Sequence, residues 1–298
     1  MKAWASVSRA VAGGVAPAGR ESNLHWFRLF VLMHVAARTF LQLGVQPPGS
    51  WYSLNSQALI LCCLGGLLPS YTIWATRIAA ALMAVHIGMT LPVTANHVFL
   101  EFFCLGLLAF LGESERRESE LLLVALRCIT LIFFFYSGLQ KVFHGRYFDG
   151  QFLAYVTGAE DRFAAVFRYL LPAEEFARLR TEGARLVQGR PEVGSGPFRV
   201  DSFLFLAVSN SVYVFEMLAP LLLLVRKARV AATLAAIAFV VAIEAGAREI
   251  IFGAFMINLL LLFLPGTWNK NLFFFFAAMY AYLLAAAFKW VPMFEYPP

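Results

Sequence analysis

The chain has 298 residues, is 60% hydrophobic and only 14% charged, and carries a formal charge of +6. Soluble domains hold about 25% charged residues, so a surface facing only water is excluded and lipid is the expected surroundings. The positive balance then reads as Lys and Arg gathered in short cytoplasmic loops, and no nucleic-acid partner is expected.

Residues 1–20 hold Lys2, Arg9 and Arg20 and no acid, and residues 1–22 are expected to form a disordered cytoplasmic tail. Apolar runs then follow one another from residue 23 to 290. The first covers about 24–45, contains Arg28 and Arg38, and stops at Pro47-Pro48-Gly49. Further runs cover about 54–68, stopped by Pro69, then 71–91, stopped by Pro92, and 97–111. After the solvated cluster 113–120 a fifth run covers about 121–142. Proline and glycine punctuate these segments because neither continues a helix well.

The long hydrophilic stretch, 144–201, is expected to be an extracytoplasmic insert. Within it Phe176, Leu179, Gly183, Leu186 and Val187 share one helical face, which predicts an amphipathic helix lying on the membrane or covering the bundle. Residues 189–197, rich in Gly and Pro, form a flexible link back. Four more runs follow at about 202–225, 230–245, 250–264 and 272–290, and 291–298 is a short C-terminal tail.

A straight span needs roughly 20 apolar residues. The second and eighth runs are short by that measure, so the expectation is an all-α polytopic transmembrane helix bundle of eight or nine spans. Helices are required because lipid cannot satisfy an open backbone, and the alternating pattern of a membrane barrel is missing. With nine spans and the N-terminus inside, Lys2, Arg9, Arg20, Arg77, Arg116, Arg117, Arg226, Lys227, Arg229 and Lys270 fall inside. The short outer loops at about 46–53 and 92–96 hold no Lys or Arg. That asymmetry places the N-terminus in the cytoplasm, with a bacterial inner membrane as the expected location.

Cys62, Cys63, Cys104 and Cys128 lie inside apolar runs without a CxxC, and the five histidines show no HExxH spacing. They read as helix residues, and no metal is expected. The polar groups that converge are of another kind. On this topology Asn96, His97 and Glu101 open the fourth run, and Lys141 with His144 closes the fifth. Glu244 and Arg248 end the seventh, all at the outer level, while Glu216 sits deeper in the sixth, four residues before Pro220. Lys141 is either a snorkelling anchor or a tuned chemical group. Glu244 and Arg248 fit a structural ion pair, His97 a helix start, and His144 a solvated loop. Glu216 needs a partner or a function, since an intramembrane carboxylate costs roughly 2.5–3.5 kcal/mol on insertion scales.

The segment YSGLQKVFHGRYFDG (Tyr136 to Gly150) resembles a segment of the vitamin K-dependent gamma-carboxylase and its wider relatives, the horizontally transferred transmembrane (HTTM) domain family. Asn96-His97 with Leu107 to Phe110, the stretch Phe215 to Arg229, and the stretch Arg248 to Pro265 resemble further segments of that family, in the same order. The resemblance implies a lysine base, here Lys141, that activates a reduced quinone such as menaquinol or vitamin K hydroquinone. It also implies a histidine, here His97, that keeps this lysine in working order. In that chemistry the hydroquinone is oxidised by oxygen to an epoxide and a peptide glutamate captures carbon dioxide. Burial disfavours a charged ammonium, which is how a lysine comes to serve as a base near neutral pH.

The sequence departs from the family at Gln140, which stands where the first lysine of the pair would be, at Ala95, and at Tyr147-Phe148-Asp149. No counterpart of the large lumenal β-rich region of the carboxylase is expected in the residues after Trp290. The expected kinship is therefore with quinone handling more than with glutamate carboxylation. Two classes stay open: a membrane enzyme using Lys141 on a lipid-soluble substrate, or a non-catalytic membrane protein for peptide maturation, transport or scaffolding. The expected partners are membrane lipid and a peptide or protein substrate.

Overall fold

The computed structural model describes residues 17–43, 49–91, 96–111, 116–187 and 198–291. Among these it is all-helical, with no strand. The expected stops at 47–48 and Pro92, the first part of the 113–120 cluster, the 189–197 link and most of both tails lie outside the described residues.

Each apolar run is a helix: α1 (Pro17–Leu43), α2 (Trp51–Gly65), α3 (Thr72–Thr90), α4 (Asn96–Phe110), α5 (Arg116–His144), then α9 (Phe203–Leu224), α10 (Arg229–Ala247), α11 (Ile250–Leu261) and α12 (Trp268–Ala287). Between α5 and α9 lie α6 (Gln151–Ala159), α7 (Asp161–Phe167), a single 3-10 turn (Arg168–Leu170) and α8 (Ala173–Val187). Among the described residues, α3, α5, α9 and α12 are long and apolar enough to cross a membrane. Their outer faces carry Trp74, Ile78, Leu218, Leu221, Phe274 and Phe275, all exposed. Large apolar side chains exposed along membrane-length helices suit a lipid solvent.

The chain divides into two compact units, Met1–Thr130 with Ile251–Glu295, and Leu131–Ile250 with Tyr296–Pro298. In the first, α1 is the central element and packs on α2, α4 and α12. Leu24, Phe27, Phe30, Val31 and Val35 are buried, with Phe30 edge-on to Phe276 and stacked on Phe255. Arg28 and Arg38, unusual on such a helix, are both buried. Arg28 donates to the Leu108 carbonyl at 2.7 Å and Arg127, fully enclosed, donates to the Leu262 carbonyl at 2.9 Å. These guanidiniums satisfy carbonyls that a helix end leaves without N–H partners. Asn269 does similar work at the start of α12, where its N–H meets Asn23 Oδ1 at 2.9 Å and its amide meets Asn258.

In the second unit α6 crosses α8 at a pair of glycines. A Cβ on Gly183 would run into the Gly158 carbonyl, so no larger residue allows the same approach. Leu153, Ala154, Val156, Leu179, Phe198 and Phe205 form the small core there. The amphipathic helix expected in the insert is α8. Leu179 and Gly183 on its apolar face are buried against α6, so this face has a protein partner. The side chains of Leu186 and Val187 lie outside the described residues. α6, α7 and the 3-10 turn are further helical elements of the stretch expected to be a hydrophilic insert. α9 packs on α10, where Phe215 stacks on Phe239 at 4.3 Å between ring centres.

Candidate functional site

The centre of the second unit is built on α5 and α9. Ser137 and Lys141 are four residues apart on α5 and so share a face. Opposite them on α9 is Glu216. Lys141 Nζ lies 2.6 Å and 2.7 Å from the two carboxylate oxygens and 2.8 Å from Ser137 Oγ, which itself donates to Glu216 at 3.1 Å. The three contacts match the three N–H bonds of an ammonium. Glu216 is buried and Lys141 nearly so, with side-chain exposures of 7% and 18%.

The local sequence explains why the pair meets. Gly138 follows Ser137, and a Cβ there would sit 2.8 Å from Met217 Cγ, 3.0 Å from Glu216 Cβ and 3.0 Å from the Tyr213 carbonyl. Only glycine brings the two helices this close without a shift. Pro220 lies inside α9 and has no N–H, so the Glu216 carbonyl lacks its usual helical partner. The segment after α5 turns through Gly145 and Gly150, both at positive φ, and is tied to α9. Ser209 donates to the Tyr147 carbonyl at 2.8 Å, Asn210 donates to the Phe148 carbonyl at 3.1 Å, and Tyr213 stands edge-on to Phe148. The Tyr147 ring then faces the ammonium, 5.5 Å from its centre, a cation–π arrangement. Burial, and after it the Glu216 carboxylate, pushes the Tyr147 phenol above its usual range.

The other expected residues fall elsewhere. His97 belongs to the first unit, where its ring lies 5.6 Å from that of Phe252. Lys141 belongs to the second. Asn96 opens α4, with its side chain outside the described residues. His144 ends α5 and is exposed. Arg248 takes the left-handed C-cap position of α10 at φ 55°, and its N–H meets the Glu244 carbonyl at 2.9 Å. Arg162 reaches from α7 to the Ala247 carbonyl beside it.

Glu101 belongs to a centre that sequence reasoning did not assemble. In the first unit its oxygens lie 2.7 Å from Arg38 Nε and 3.1 Å from His34 Nε2, and His34 Nδ1 lies 2.7 Å from the Tyr280 hydroxyl. Arg38 also donates to Gln42 at 2.7 Å. All four core members are buried. Arg38 supplies the counter-charge, and His34 bridges the Glu101 carboxylate to the Tyr280 hydroxyl through its two ring nitrogens. A signal was present in the sequence. His34, Arg38 and Gln42 recur every four residues, a polar line on an apolar helix.

Among the described residues, no group of three His, Cys, Asp or Glu is placed to hold a metal ion. Compared with known proteins, the chain matches no family model, no curated protein and no solved structure. Fold and site together define a class: an all-helical protein with helices of membrane-spanning length, consistent with an integral membrane protein.

Proposed function

We propose that this chain is a multi-pass integral membrane enzyme that uses Lys141 as a base on a lipid-soluble substrate, a reduced quinone by resemblance to the gamma-carboxylase. In this reading the apolar helices make eight or nine spans, the N-terminus is cytoplasmic, and the 144–201 insert lies on the other side. The membrane is the bacterial inner membrane. The loop charge asymmetry supports that orientation.

The observation that carries the proposal is the contact of Lys141 with both oxygens of Glu216. An ammonium must lose its proton before it can act as a base. A carboxylate in direct contact can receive that proton, and a dry site lowers the cost of the resulting neutral pair relative to the charged one. Ser137 holds the amine in line, and Tyr147 covers it. His97 is carried in the proposal by the resemblance alone, as are a peptide or protein substrate and the hydroquinone.

The test is a spectroscopic titration of the purified full chain with menaquinol, followed by turnover. Lys141→Ala and Glu216→Gln should each lower turnover by about a hundredfold or more, the usual contribution of a positioned acid–base group. Full activity in Lys141→Ala protein that still inserts would overturn the proposal.

A second reading has its own support. Gly138, Ser137 and the ties from Ser209 and Asn210 to the following segment suit a pair that pins α5 to α9 in a non-catalytic protein for peptide maturation, transport or scaffolding. That reading predicts no menaquinol binding, and full function in a Lys141→Met/Glu216→Leu chain.

A further inference from the structure

α3 and α4 run antiparallel in the first unit and leave a groove between them of about 450 Å³. On α3 it is lined by Arg77, Ala80, Ala81 and Ala84, and on α4 by Phe102, Gly106, Ala109 and Phe110. The spacing on each helix is that of one face over two turns, so the groove is about 10 Å long. Its floor is small because alanine and glycine hold both helices' side chains back, and Phe102 and Phe110 wall its two ends. The volume falls in the range of about 300–1,000 Å³ typical of small-ligand sites.

One end of this groove is polar. Arg77 is exposed and is positioned by two contacts: its Nε–H donates to the Ala109 carbonyl at 3.1 Å, and its guanidinium lies over the Trp74 ring at 5.2 Å. Among the described residues, its remaining N–H groups make no hydrogen bond or ion pair. The carbonyl end of α4 also receives Arg28, through Leu108. Two guanidiniums at one helix end outweigh the roughly half negative charge of the helix dipole. Tyr71, Trp74 and Phe110 are exposed around this end, as aromatic side chains are at the border between hydrocarbon and headgroups. Arg77 lies little more than a turn inside α3, within reach of that border.

We infer that this groove is a binding site for an anionic phospholipid, with its phosphate on the free N–H groups of Arg77 and an acyl chain along the alanine and glycine floor. A zwitterionic headgroup carries the same phosphate but also a cation that the fixed guanidinium repels, so it is held more weakly than an anionic one. Free phosphate lacks the chain that fills the groove. A planar fork held by Trp74 and Ala109 is suited to two phosphate oxygens at once.

The experiment is native mass spectrometry of the purified full chain, released from detergent containing phosphatidylglycerol, phosphatidylcholine or inorganic phosphate. The wild type should retain one phosphatidylglycerol through activation energies that strip phosphatidylcholine, and no phosphate. Arg77→Gln should reduce that retention about tenfold, the worth of one charge-assisted contact, and Arg77→Lys should restore part of it. Ala81→Phe, at an exposed position that fills the groove, should reduce it with Arg77 intact. Equal retention by wild type and Arg77→Gln would overturn the site, as would equal retention of phosphatidylcholine. Retention of phosphate alone, or indifference to Ala81→Phe, would overturn the role of the groove.

Discussion

Lys141 Nζ lies 2.6 Å from one oxygen of Glu216 and 2.7 Å from the other, on helices joined by no local sequence. The carboxylate is the more buried partner. Breaking a fully buried ion pair from one side costs about 3–5 kcal/mol because the remaining charge is stranded. Lys141 keeps some exposure, so Glu216→Gln should cost nearer about 2 kcal/mol. Thermal unfolding in detergent measures it. The Lys141→Met/Glu216→Leu chain should recover most of the loss, and a Glu216→Gln chain as stable as the wild type would mean that the pair carries no weight.

Gly138 sets the distance at which this pair can form. An alanine there would press on Glu216 Cβ and the Tyr213 carbonyl, each 3.0 Å away, as well as on the more yielding Met217 side chain. Overpacking of this kind costs about 1–3 kcal/mol. Gly138→Ala should therefore lower the unfolding temperature and weaken any Lys141-dependent reaction. Gly106→Ala, in the first unit and with open space around it, should do neither. Equal behaviour of the two variants would remove the argument for close approach.

Much of the fold is legible in the sequence for one reason: a lipid solvent demands continuous apolar helices, and the runs that satisfy it stand out. The run read at about 71–91 is the helix Thr72–Thr90, and that at 202–225 is Phe203–Leu224. The 144–172 stretch hides α6, whose burial depends on the Gly158–Gly183 crossing between residues 25 apart, and α7, which packs on the distant α10; no local period announces either contact. The site shows the same division. Lys141 and Glu216 each look costly alone, yet 75 residues separate them, and nothing local says that they meet. His34 and Tyr280 do not stand out in the sequence, since a lone histidine and a lone tyrosine on apolar helices are ordinary core residues.

Gly183→Ala tests that crossing directly. The added methyl has nowhere to go, because what it meets is the Gly158 backbone. The expected result is separation of α6 from α8, with rapid proteolysis within 151–187, while the membrane-length helices stay folded. A variant as resistant to protease as the wild type would show that the two helices tolerate a wider spacing.

Tyr147 offers a test of the site by pH. Its phenol is raised by burial and then by the Glu216 carboxylate, whereas an unfolded tyrosine titrates near 10. A group whose folded value is raised stabilises the fold fully below the unfolded value. It loses that contribution as pH climbs through and beyond it. The ultraviolet difference between wild type and Tyr147→Phe should show no tyrosinate near pH 10, and the variant should lose less stability between pH 9 and 11 than the wild type, windows set by that ordinary value of about 10. Normal titration at this position would mean that the ring is not buried over the Lys141–Glu216 pair.

The buried centre of the first unit makes the sharpest stability prediction. Glu101 is 1% exposed, and it takes both Arg38 and His34. Glu101→Gln leaves the Arg38 guanidinium without its counter-charge in the core, which costs about 3–5 kcal/mol. Tyr280→Phe removes only a neutral hydroxyl from His34, worth about 1 kcal/mol. The ranking follows from charge and not from size, since both changes preserve shape. Unfolding of the two variants in detergent gives the ranking at once. If Tyr280→Phe proved the more damaging, the network would be organised around the imidazole, with Arg38 balanced by some other group.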